Sequence, residues 1–167
     1  MMVKPSLEVA KELVGDYKII PLSREIYSDI RTPIEVLKIL KTISKHCYML
    51  ESMESPEKWG RYTFLGFDPT MEVTCIDGML NIGLEKKIAI KAVHPKDYIR
   101  QILEENKSPK FDYLPPFAGG LVGYFSYDFV KYSEPTLKLD AEDQEGFKDV
   151  DLMLFDKVIA FDNLKQK

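Results

Sequence analysis

The chain has 167 residues, 45% of them hydrophobic and 30% charged, with a net charge of −4 at pH 7. That is the make-up of a globular protein able to bury a core, not of a disordered segment. The acidic balance, with Lys and Arg scattered among acids, argues against general nucleic-acid binding, which needs clustered cations on phosphates. No apolar run nears the roughly 20 residues of a membrane helix. The opening MMVKPSLEVAKELVGDY carries periodic charge and no apolar signal core. Cys47 and Cys75 are far apart and outside any C-x-x-C pair, and His46 and His94 are too dispersed for a zinc site, so a reduced, cytoplasmic setting is expected.

In chain order, PSLEVAKELV predicts a short helix capped by Ser6, with Leu7, Ala10, Leu13 and Val14 on one stripe and a stop near Gly15. YKIIPLSREIY is rich in β-branched and aromatic residues, and Pro21 makes it an edge or bulged strand. TPIEVLKILKTI is the clearest helix: Thr32 caps it, Pro33 takes its first position and Glu35 completes a capping box. Its apolar face is read as Ile34, Leu37, Ile39 and Leu40. From His46 to Ala92 the pattern is a β-meander: CYMLES, RYTFLGFDP, MEVTCID, MLNIGLE and KIAIKAV, broken at SPEKWG, DPT and Asp77-Gly78. HPKDYIRQILEEN is a further helix with Tyr98, Ile102 and Leu103 inward. A Pro-rich connection leads to the aromatic AGGLVGYFSYDFVKY, then an acidic loop, EPTLKLDAEDQEGFKD. VDLMLFDKVIAFD closes the chain as one long strand or a strand pair, and its position just before the end hints at truncation. The expected class is α+β, a largely antiparallel sheet or sandwich with about three flanking helices.

The glycines of AGGLVGYFSYD do not follow a phosphate-binding spacing, so a bulge or close backbone approach is the better reading. Asp140, Glu142, Asp143 and Glu145 read as a solvated charge run, since nothing apolar flanks them to shift a pKa. No serine sits in G-x-S-x-G and no Cys-His pair suggests a nucleophile. One stretch offers more. In YMLESMESPEKWGRYTFLGFDP, Glu51 and Ser52 end an apolar strand and Arg61 opens the returning one. An acid, a hydroxyl and a base brought together by a hairpin suit an amino-acid ligand: Glu51 for its ammonium, Arg61 for its carboxylate, Ser52 for either. A plain polar hairpin end with an exposed ion pair is the simpler alternative.

LES with EKWGRYTFLGFDP, then FAGGLVGYFSYDFVKY, then DLMLFDKVIAFD, resemble in order the amino-terminal portion of the anthranilate synthase component I family, from about Tyr17 to Asp162. The resemblance implies that residues 1–167 form the amino-terminal, regulatory domain of such a large subunit, with the carboxy-terminal chorismate-binding catalytic domain absent. It implies an L-tryptophan feedback pocket lined in part by Leu50, Glu51 and Ser52. Arg61 is the best match for its basic residue, and Lys58 the alternative. It also implies that catalytic residues and Mg2+ belong to the missing domain, and that a glutamine amidotransferase subunit supplies ammonia. The rival readings are the large subunit of aminodeoxychorismate synthase, in folate biosynthesis, and a stand-alone amino-acid-binding module.

Overall fold

The computed structural model describes residues 2–51, 60–134, 136–137, 139 and 143–167. It is an α+β fold with two antiparallel sheets. The chain divides into two compact units, one of Met1–Pro69, Glu105–Gly120 and Phe155–Lys167, the other of Thr70–Glu104 and Leu121–Leu154.

The first unit holds helices α1 (Leu7–Leu13) and α2 (Pro33–Ile43) and a three-stranded sheet of β1 (Cys47–Glu51), β2 (Tyr62–Phe67) and β8 (Val158–Asp162), in the order β1-β2-β8. Helix α2 starts where its sequence says. Thr32 Oγ1 accepts the Glu35 N–H and Glu35 reaches back to the Thr32 N–H, so two orphan amides of the first turn are satisfied together. Its buried stripe is Leu40 with Val36 and Leu37, packed on Leu65 and Phe161 of the sheet. Ile34 and Ile39, read as part of that stripe, stay exposed. The reason is angular: Val36, Leu40 and Leu37 span an arc of about 100°, and Ile34 and Ile39 each lie about 60° beyond one end of it. Helix α1 forms with Ser6 accepting the Val9 N–H, yet it buries none of its residues, and Leu7 and Val14 are exposed. The strand expected over YKIIPLSREIY is not formed; only an isolated Lys4–Ser23 bridge is present there. Pro21 lacks the N–H that a ladder requires.

The second unit holds a five-stranded sheet in the order β5-β4-β3-β7-β6, made of β3 (Met71–Ile76), β4 (Met79–Ile82), β5 (Ile88–Lys91), β6 (Gly120–Phe125) and β7 (Val150–Phe155). Helix α3 (Pro95–Glu105) lays Ile99 and Ile102 on Val73, Cys75, Leu80, Val150 and Leu152. Ile99 takes the inward place expected of Leu103, which is half exposed. A 3-10 helix, Tyr127–Tyr132, follows β6 and adds Phe129 and Tyr132 to this core. The Asp77-Gly78 turn between β3 and β4 has both residues at positive φ, 47° and 77°, the tight hairpin turn those residue types favour. At Gly123, φ is +156° and a Cβ would collide with the Asp151 carbonyl, so this glycine serves close backbone approach.

The five strands of the predicted meander all exist, but they are shared between two sheets. The chain leaves the first after β2 at Asp68-Pro69 and enters the second at β3. The terminal run divides likewise: β7 joins the five-stranded sheet and β8 the three-stranded one.

Candidate functional site: the β1–β2 hairpin

Strands β1 and β2 pair antiparallel, with Tyr48 opposite Gly66, Leu50 opposite Phe64 and Glu51 opposite Thr63. Strand β8 continues the ladder, placing Ala160 opposite Phe64 and Asp162 opposite Tyr62. Because side chains alternate with a period of two, the register sorts the candidate residues. Tyr48, Leu50, Tyr62, Phe64 and Asp162 share one face. Met49, Glu51, Thr63, Leu65 and Phe161 belong to the other, whose core is covered by α2. Leu50 and Glu51, neighbours in the sequence, therefore sit on opposite faces, both exposed.

The first face is aromatic. The Tyr48 ring lies across Gly66, where a Cβ would strike its Cε1 atom. It meets Phe155 edge-on at 4.8 Å and Phe117 at 6.4 Å. Phe64 meets Phe117 at 5.7 Å and stacks on Tyr62 at 5.7 Å. Such offset and edge-to-face pairs suit the charge distribution of the rings. The Tyr48 hydroxyl is buried and has no hydrogen-bond partner among the described residues. Burial pushes its pKa up to about 12.

Arg61 stands at the rim. Its Nε donates to Asp162 Oδ1 at 3.1 Å and its Nη2 to Oδ2 at 2.6 Å, while the guanidinium lies 4.9 Å over the Tyr62 ring. The paired planes form the two-pronged geometry that arginine and carboxylate share. Asp162 Oδ1 also accepts the Leu164 and Lys165 N–H groups, at 3.2 and 3.0 Å. The Arg61 hydrogen bonds, joined by these amides, hold the Asp162 carboxyl below its ordinary pKa, and Asp162 in turn raises that of Arg61. Asn163 supports the same corner: its N–H donates to the Arg61 carbonyl and its amide to Thr63 Oγ1 at 3.3 Å.

The structure thus joins Arg61 to Asp162, a residue the sequence reading passed over as the end of a terminal strand. The available signal was the alternation of VIAFD, which sets Asp162 on the face of Val158 and Ala160. Ser52 and Lys58, the hydroxyl and the alternative base, lie outside the described residues. Among the described residues no group of three or more His, Cys, Asp or Glu is placed to hold a metal, and no helix is long and apolar enough to cross a membrane. Chemically, the face offers ring surfaces and an arginine already bound to a carboxylate. That suits holding a flat apolar group with a polar end and, among the described residues, includes no nucleophile beside a base.

Residues 45–167 match the family described as chorismate binding enzyme, and the chain belongs to that family. Within it, the chain is 36% identical over 168 residues to the anthranilate synthase component 1 of Acetivibrio thermocellus, across 99% of this chain and 33% of that protein. It is 33% identical to the component 1 of Aquifex aeolicus, across 100% of this chain and 34% of that protein. The crystal structure of anthranilate synthase component I from Streptococcus pneumoniae TIGR4 superposes with a TM-score of 0.55 at 27% identity, covering 87% of this chain and 30% of that one. The chain spans about a third of the length of the curated relatives it matches.

Proposed function

We propose that this chain is the amino-terminal, regulatory portion of an anthranilate synthase large subunit, acting in the cytoplasm in tryptophan biosynthesis. Its part is to supply one wall of an L-tryptophan feedback pocket, with Leu50 on the aromatic face, Arg61 at its rim and Ser52 following in sequence; Glu51, on the opposite face of the sheet, is left out of that wall. The observation that carries this reading is the family match together with relatives named anthranilate synthase component 1 over nearly the whole chain. The aromatic face beside Leu50 supports it, since an indole is a flat apolar group and rings pack well on rings. Arg61 gives partial support: a ligand carboxylate has to share its donors with Asp162.

In the working enzyme, chorismate and glutamine-derived ammonia would give anthranilate and pyruvate. The chemistry and its Mg2+ belong to a catalytic portion outside the third spanned here, and the ammonia to a glutamine amidotransferase subunit. Tryptophan would act by favouring one arrangement of the two portions, an ordinary coupling between distant sites.

Calorimetric titration of the chain with L-tryptophan, with L-phenylalanine as control, tests the pocket. Selective heat from tryptophan, weakened in Leu50→Glu, is the expected result. Equal weak responses to both amino acids would remove the claim that the hairpin alone recognises tryptophan. For the regulatory role, Ser52→Ala in a full-length relative's equivalent position should weaken tryptophan inhibition and leave turnover unchanged.

A further inference from the structure

Glu51 is the acid that the sequence offers to a ligand ammonium, and the register removes it: Glu51 sits opposite Thr63, on the face of the sheet away from Tyr48, Leu50 and Phe64. A different acid stands on the aromatic face. Asp162 lies opposite Tyr62 and beside the Arg61 guanidinium. The two side chains are bonded to each other, yet each keeps bonding capacity. A guanidinium has five N–H donors arranged in forks. Asp162 takes the side fork, Nε and Nη2, at 3.1 and 2.6 Å. Among the described residues nothing takes the end fork, made of Nη1 and the second N–H of Nη2. A carboxylate has about four lone-pair sites. Oδ1 is filled by Arg61 Nε and the Leu164 and Lys165 N–H groups, whereas Oδ2 accepts only Arg61 Nη2 among the described residues. A free donor fork and a free acceptor are thus left side by side. Both side chains still reach solvent, Arg61 by 28% and Asp162 by 13%.

We propose that Arg61 and Asp162 together form a clamp for the head group of an α-amino acid, with the ligand carboxylate on the Nη1–Nη2 fork and its ammonium on Asp162 Oδ2. In such a head group one carbon separates ammonium from carboxylate, so donor and acceptor stand side by side, as Nη2 and Oδ2 do. The pair carries no net charge, which suits a zwitterion over a plain anion or a plain cation. The Leu164 and Lys165 amides hold the aspartate in place before a ligand arrives, so little ordering is left to binding. From the clamp the ligand's side chain reaches Tyr62, on whose ring the guanidinium lies, and then Phe64. This assignment rests on the tryptophan reading and adds to it the acid that recognises the ammonium.

Calorimetric titration of the full chain with L-tryptophan, tryptamine and indole-3-propionate separates the two ends of the ligand, since tryptamine lacks the carboxylate and indole-3-propionate the ammonium. The parent should bind L-tryptophan about tenfold or more tighter than either, the worth of one charge-assisted hydrogen bond. Asp162→Asn should lose about tenfold for L-tryptophan and tryptamine and keep indole-3-propionate. Arg61→Gln should do the reverse, losing L-tryptophan and indole-3-propionate and keeping tryptamine. Glu51→Gln should bind L-tryptophan as the parent does. Each variant is checked by circular dichroism for retained fold, and either of the first two carries the test if the other fails to fold. A general loosening of the corner would weaken all three ligands alike and could not produce opposite selectivities. A parent that binds none of the three removes the tryptophan reading and the clamp with it. Where the parent binds L-tryptophan, the clamp alone is overturned if the Asp162 or Arg61 variant weakens all three ligands equally or none, or if Glu51→Gln takes the loss instead.

Discussion

Each unit of the molecule ties a loop down with one aspartate, and the two do it in different surroundings. In the first, Asp162, its side chain 13% exposed, takes a two-pronged grip from Arg61 at the sheet rim. In the second, Asp149 is buried to 4% exposure. Its Oδ2 accepts the Tyr132 hydroxyl at 2.6 Å and the Asp77 N–H at 2.8 Å, and its Oδ1 lies 2.9 Å from Lys131 Nζ. The Tyr132 hydroxyl accepts the Gly78 N–H at 2.7 Å in turn. One aspartate thus fastens the 3-10 helix to the β3–β4 turn at the start of β7. The contrast teaches where an ion pair matters: at a wet rim water can replace a lost partner, and in a core it cannot.

The largest effect follows from removing the buried member. Asp149→Ala leaves the Tyr132 O–H and the Asp77 N–H without their acceptor, while Lys131 keeps the Asp77 carboxylate at 2.9 Å, and should cost about 2 kcal/mol in denaturant unfolding. A loss below about 1 kcal/mol would mean the network relaxes into solvent, and the contrast between the two anchors would collapse.

The next effect is on acid stability. Burial pushes the Asp149 carboxyl up, but hydrogen bonds from Tyr132, Lys131 and the Asp77 amide outweigh it, so the group titrates below its ordinary value. A carboxylate depressed in the fold contributes stability that is complete above its unfolded pKa of about 3.9 and is lost as pH falls through the lower folded value. Unfolding followed between pH 6 and 2 should therefore show a loss beginning near pH 4. Asp149→Asn and Asp162→Asn should each flatten that slope, since both carboxyls are held below their ordinary values. A slope unchanged in Asp149→Asn would show that its hydrogen bonds do not lower its carboxyl.

How far this was legible in the sequence depends on the range of the contacts involved. Helix α2 was readable because its capping box spans four consecutive positions. The Asp77-Gly78 turn was readable because its backbone demands those residues. The division of one apparent meander between two sheets was not. A strand's pattern states which face is apolar and says nothing about which strand it pairs with, and the partners of β2 and β3 besides their hairpin mates come from β8 and β7, far along the chain. The same limit hid Asp162. Glu51 and Arg61 are close in sequence and looked like partners, whereas Arg61 finds its carboxylate 101 residues away. The acidic run at 140–145 drew notice, while Asp149, outside it, is the acid the core uses.

Breaking the exposed anchor should do less. Arg61→Ala should lower the melting temperature by a smaller amount than Asp149→Ala in the same buffer. The loss should shrink as salt is raised, because a partly exposed pair is screened. Arg61→Lys keeps the charge and forfeits the parallel bonds, so it should fall between the parent and Arg61→Ala. A salt-independent loss would mean that Arg61 acts through its packing on Tyr62, 4.9 Å away, more than through Asp162.

The smallest effect is expected at Tyr48, and it bears on the site more than on the fold. Its ring is held between Gly66, Phe117 and Phe155, and its hydroxyl is buried without a partner among the described residues. A buried hydroxyl that makes no bond has lost its water for nothing, so Tyr48→Phe should leave stability within about 0.5 kcal/mol of the parent, on the stabilising side. Denaturant unfolding of the free chain measures this directly. A loss above about 1 kcal/mol would show that the hydroxyl has a partner in solution. Repeating the tryptophan titration on the same variant then separates two roles for the aromatic face. Unchanged affinity means the ring alone matters there. A loss of affinity without a loss of stability means the hydroxyl gains its missing bond only when the ligand is bound.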